Sequence, residues 1–282
     1  MNDIGKIFRW NRLTIYAIIT LAILFPLVRP IGIPIPIGES ARTFYELVDN
    51  MKPGDIIWVD SAFSLSAAVE CVPQLEAISQ HALKKGAKVI MLAMSPDGQP
   101  FAERALAALI EQGAVYGEDI VYLGFVPGEE PAIAAMMSDL HRAVPRDYRG
   151  TPLTDIPITK NVRTGNDIAI VVPVTSNATA PDFWTRQIAP YPNTVLTMAS
   201  QASLWPRIQP YLPTGQIAAA LNGARGAAEY ELMIGKPSIA VASMDATSIA
   251  YLTFVLFIIV GNLAHWLAPD KKVAAKKDGD KS

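Results

Sequence analysis

Residues 246–267 (ATSIAYLTFVLFIIVGNLAHWL) contain no Asp, Glu, Lys or Arg. A helix needs roughly 20 apolar residues to cross the hydrocarbon core of a bilayer, so this run must lie in lipid or inside an unusually large protein core. Its length and the Lys-rich sequence beyond Pro269 predict the first. The strongly polar side chains are Asn262 and His265, both near one end, and Trp266 follows where interfacial aromatics gather.

A second apolar run, 13–28, follows Lys6, Arg9 and Arg12. A cleaved signal peptide has a similar basic start, but it ends in a small-x-small site; here Arg29, Pro30 and IGIPIPIG follow instead. The expectation is an uncleaved signal anchor at 13–29. The chain then divides into an N-terminus (1–12), a first span (13–29), a central domain (30–245), a second span (246–267) and a Lys-rich tail (268–282). Basic residues collect in the outer flanks of both spans, which predicts cytoplasmic termini and an extracytoplasmic domain. From 30 to 245 there are 15 Lys/Arg against 22 Asp/Glu, a net of −7 within an overall −2. An acidic domain is a poor partner for nucleic acid, whose phosphates demand cations.

Within the domain, apolar strand-like runs alternate with helical ones. Strands are expected at 55–60 (DIIWVD), 88–94, 119–125, 167–174 and 194–198, and helices at 41–50, 64–83, 101–112, 129–142, 181–188 and 216–233. Glycine, proline and lysine punctuate them. Strand–helix alternation calls for an α/β fold, a Rossmann-like, mostly parallel sheet with helices on both faces, flanked by N- and C-terminal transmembrane helices. Residues 146–165 break the rhythm and read as an excursion, a lid or a seam. GDIIWVDS (54–61) with KVIMLAMS (88–95) faintly echoes GNDIAIVVPVTS (165–176) with TVLTMAS (194–200); shared strand physics explains this most simply.

The usual catalytic signatures are missing: there is no glycine-rich phosphate loop, no G-x-S-x-G and no H-E-x-x-H. Cys71 is the single cysteine, placed on a helix as a small buried hydrophobe, and His81, His141 and His265 are scattered. No catalytic residue, metal or cofactor is therefore implied. Candidate ligand residues lie where strands end, since parallel sheets bind ligands at their carboxyl edge. They are Asp60, Ser61 and Ser64, then Ser95 and Asp97, then Ser176 and Asn177, then Ser200. Asp60 and Asp97 could together hold a divalent cation, although Ser, Asn and Asp also serve as plain helix caps and turn formers. Asn177-Ala178-Thr179 also matches a glycosylation acceptor.

Small residues beside carboxylates, Gly223, Arg225, Gly226, Glu229 and Glu231, form a candidate packing surface near the membrane, with an intersubunit Arg225 pair conceivable. Gly261, Asn262 and His265 on one flank of the last span suit helix contacts in lipid. The expected function is a non-enzymatic scaffold or partner-binding subunit of a membrane assembly, its partners being the bilayer and copies of itself or other membrane proteins. Two other readings stand beside it: a ligand-capturing accessory domain of a transporter, and a hydrolase using the strand-end rim. GDIIWVDSAFSLS (54–66) followed by KKGAKVIMLAM (84–94) resembles the amidotransferase-like outer domains of some transporter accessory proteins, but carries none of their diagnostic residues.

Overall fold

The computed structural model describes residues 12–267. These divide into two compact units, Pro34–Val241 and a second formed by 12–33 with 242–267.

Pro34–Val241 is built on six parallel strands: β1 (Ile56–Ala62), β2 (Lys88–Ala93), β3 (Ile120–Phe125), β4 (Ile170–Thr175), β5 (Val195–Ser200) and β6 (Ala219–Asn222). Their order is β3-β2-β1-β4-β5-β6, every neighbouring pair parallel. This is a doubly wound arrangement, with the winding reversing between β1 and β4. Five of the strands lie where the apolar runs predicted them. The two echoing sequence pairs are β1 with β2 and β4 with β5, the corresponding strands of the two halves.

Neighbouring residues along a strand face opposite sides, and both sides are dry. On one side Ile57, Val59, Met91, Tyr122 and Val172 meet α2 (Glu39–Asp49), α3 (Ala68–Lys84), α4 (Gln99–Glu111) and α9 (Gly223–Met233). On the other, Trp58, Ile90, Leu92, Val171 and Met198 meet α5 (Glu129–Ser138), α6 (Leu140–Ala143), α7 (Ala180–Ile188) and α8 (Trp205–Ile208). Burial on both sides is what makes these strands read as unbroken apolar runs.

Two expectations are corrected. The helix expected over 216–233 is a strand, β6, followed by α9, because Gly223 with φ of 56° turns the chain between them. Gly226 lets α9 lie against β6, since a methyl there would approach the backbone of Leu221 to 2.9 Å. The helix expected over 129–142 is two, α5 and α6, with Asp139 extended between them and accepting from Arg142 N. Pro73 sits inside an unbroken α3. Residues 146–165 form a turn-rich cover whose Leu153, Ile156, Ile158 and Val162 are buried in the second core.

A buried polar array ties the first layer together. His81 on α3 is 4 % exposed, with Tyr230 Oη 2.8 Å from Nδ1, Asp49 Oδ1 3.2 Å from Nε2, and Tyr45 stacked on the ring. A carboxylate only accepts, so Nε2 carries the proton and Nδ1 accepts from Tyr230. Burial lowers the His81 pKa, while the hydrogen bond from His81 lowers that of Asp49.

The second unit contains α1 (Arg12–Val28) and all of α10 (Ile239–Leu267) from Ala242 onward. One helix here is long and apolar enough to cross a membrane, Ile239–Leu263; Leu13–Val28 is apolar but shorter. The helix α10 begins at Ile239, seven residues before the uncharged run that starts at 246. Its opening turn is held by Glu231 of α9, whose carboxylate accepts from Ser238 N, Ala240 N and Val241 N at 2.8, 3.2 and 3.1 Å. Anionic capping of orphan amides is favourable at a helix start. Further along, the fully buried Asp245 accepts three backbone N–H groups, from Ile31 (2.7 Å), Gly32 (2.8 Å) and Ile33 (2.9 Å).

Candidate functional site

The carboxyl edge of the sheet collects most of the rim candidates, and the winding reversal lies in its middle, where Ala62 of β1 pairs with Thr175 of β4. There the chain has spent its polar groups on itself. Ser61 Oγ donates to Gly98 O (3.0 Å), and Leu65 N donates to Asp97 Oδ2 (3.2 Å). The turn Pro96–Gly98 therefore closes over the end of β1. Only glycine fits there, since a Cβ on Gly98 would sit 1.9 Å from Ser61 O. Ser64 N donates to Ser176 Oγ (2.9 Å), and Ser64 Oγ lies 2.9 Å from Ser66 Oγ.

The remaining rim residues are engaged to different extents, Ser95 without a side-chain cap bond. Asn177 Oδ1 accepts from the Thr179 amide and hydroxyl, while Nδ2 donates to Glu129 Oε1 at 3.1 Å. Ser95 begins the Pro96–Gly98 turn. Ser200 lies at the end of β5, its carbonyl accepting from the buried Gln74 Nε2 (3.1 Å), which also reaches Gly223 O (3.0 Å).

Asp60 stands apart. It is fully buried, its Oδ1 accepting from Met94 N at 3.0 Å, and its Oδ2 has no partner among the described residues. Burial pushes its pKa up to about 8. Asp60 and Asp97 thus serve different backbone amides, one inside the sheet layer and one at the surface. Among the described residues no three His, Cys, Asp or Glu side chains gather to hold a metal ion. Cys71 is buried, its thiol pKa raised by burial, which suits the small-hydrophobe reading.

The α9 candidates are used within the chain. Arg225 Nε donates to Glu229 Oε1 (2.8 Å) and Nη2 to Pro36 O (3.2 Å). Glu231 holds the start of α10, as described. On α10, Asn262 Nδ2 donates to Ile258 O (2.8 Å), and Gly261 and His265 are exposed.

None of the five principal cavities is lined by a rim candidate. One of about 540 Å³ lies between α3 and α4 and is closed at one side by the turn leading into α10. Of the residues lining it, the sequence reading had singled out Glu231. Another, Val69 of α3, is 67 % exposed and belongs to neither core, which the sequence alone does not reveal. Comparison with protein-family models, with curated proteins and with solved structures finds no match to this chain.

Proposed function

We propose that this chain is a membrane-tethered, extracytoplasmic α/β domain acting as a non-enzymatic scaffold or partner-binding subunit of a membrane assembly. Both runs, 13–29 and the helix from Ile239, cross the bilayer in this reading, with both termini cytoplasmic. The observation that carries it is the bare surface of α10: Tyr251, Leu252, Phe254, Val255, Ile258 and Ile259 are all at least half exposed. Contiguous apolar surface of this kind needs lipid or protein around it. The closed rim supports a non-enzymatic role over hydrolysis, because the place where such a sheet presents ligands is occupied by its own turn and hydroxyls.

The test has two parts. Membranes are washed with alkaline carbonate and sealed vesicles are treated with protease from the cytoplasmic side; retention of the chain and protection of its centre are expected. Release, or digestion of the centre, removes the topology. Crosslinking in native membranes followed by mass measurement then asks for a copy or partner. A strictly monomeric product removes the scaffold role.

A further inference from the structure

Two cavities on the α3–α4 side of the sheet adjoin one another. The first, of about 540 Å³, is a trough with walls of Val69, Val72, Phe101, Ala105 and Leu109 and an end formed by Ile239. The second, of about 330 Å³, is a chamber that includes Gln80, Lys84, Gln112 and Lys236. Gln80, Gln112 and Lys236 line both, and a hydrogen bond from Gln80 to Gln112 marks where apolar lining gives way to polar. Each volume falls within the roughly 300–1,000 Å³ of small-molecule sites, whose usual make-up is apolar walls with a few placed polar groups.

Charge in this region is unbalanced in one direction. The trough's Glu76 and Arg104 pair with each other at 3.1 Å, and Glu231 is saturated by three backbone amides. In the chamber Asp119 is paired with Lys88, and the neighbouring Lys85 with Asp49. Among the described residues neither Lys84 nor Lys236 has a carboxylate within ion-pair distance. An apolar trough therefore ends in two unanswered cations and two side-chain amides.

We infer that the α3–α4 trough and its lysine chamber bind a long-chain fatty acid, its hydrocarbon against Val69, Val72, Phe101 and Leu109 and its carboxylate between Lys84 and Lys236. The alkyl chain covers apolar surface that the fold leaves open to water. The carboxylate answers the two lysines and accepts from Gln80 or Gln112 Nε2. The site rests on the membrane-tether reading only for its supply of ligand, since Ile239 at the trough's end is also the first residue of the apolar helix.

The test uses the full-length chain in mild detergent and a diazirine-bearing palmitate, with labelled peptides mapped by mass spectrometry. Label is expected in 69–80 and 101–112, competed by unlabelled palmitate. It should fall roughly tenfold in Lys84→Ala/Lys236→Ala, about the worth of two exposed ion pairs. Val69→Glu places a charge in the trough at an exposed position near a helix start, where the fold tolerates it; it should lose the label while keeping the wild-type melting temperature. Three results overturn the site: label confined to 12–28 and 239–267, equal labelling by the matching fatty alcohol, or labelling of the trough by a phospholipid analogue and not by the acid. Release of the chain by alkaline carbonate with trough labelling intact would sink the tether and leave the site standing.

Discussion

The strand-end rim and the α3–α4 trough belong to one sheet and have opposite characters. At the rim, polar side chains are numerous and nearly all engaged: Ser61 with Gly98, Asp97 with Leu65, Ser64 with Ser176, Asn177 with Glu129. At the trough, Glu76, Arg104 and Glu231 are engaged within the chain, while the exposed Lys84 and Lys236 have no carboxylate partner among the described residues beside open apolar walls. Richness in functional-looking residues and readiness to receive a ligand are therefore different properties. The first follows from turn and cap chemistry; the second requires open apolar surface with charged groups that no partner in the chain holds.

The comparison breaks most readily at Asp60. Its folded pKa of about 8 lies above the ordinary carboxylate value, so its contribution is intact below about pH 4 and is lost as pH rises through 8. The loss is on the order of 1.4 kcal/mol per pH unit across that window. Thermal melting of wild type against Asp60→Asn should give similar midpoints near pH 4.5 and a clearly higher one for the variant near pH 8. Parallel pH profiles would show that Asp60 is open to water and the rim is not sealed there. Gly98→Ala should cost about 3 kcal/mol, because backbone and not a movable side chain meets the new methyl. A variant as stable as wild type in urea titration would mean that the Pro96–Gly98 turn lifts off and the rim can open.

On the trough side, Glu231→Gln replaces one accepting oxygen with a donor facing amides and should cost about 1–3 kcal/mol. Hydrogen exchange at Ser238, Ala240 and Val241 should rise with it; unchanged protection would show that Glu231 is free for a ligand. The smallest effect is expected from Arg104→Ala. The Arg104–Glu76 pair is 60 % and 43 % exposed on its two sides, so about 0.5 kcal/mol or less should be lost. A larger loss would give the trough wall a structural duty that the comparison denies it.

Much of the scaffold was legible in the sequence because a strand buried on both faces is a short apolar run between turns, as DIIWVD and KVIMLAM are. β6 was hidden for the same reason. Its Ala-Ala-Leu-Asn sits in an alanine-rich stretch, and periodicity cannot separate so short an apolar run from a helix. Strand order was beyond reach, since the pairing of β1 with β4 joins segments more than a hundred residues apart and leaves no local mark. The rim residues could be read as lying at the strand ends, but their engagement depends on the approach of the Pro96–Gly98 turn to Ser61. The early start of α10 was invisible because its cap, Glu231, comes from the preceding helix and not from the residue before it.

The grip of Asp245 on Ile31, Gly32 and Ile33 has a temporal side. Ribosomes deliver a polypeptide from its first residue, and Ile31 is made 214 positions ahead of the carboxylate that will hold it. At typical rates of ~5–20 residues per second, that leaves those amides waiting roughly 10–40 s for their acceptor. Any product that stops short of Asp245 keeps three donors bare, so this join closes only on chains translated as far as Asp245.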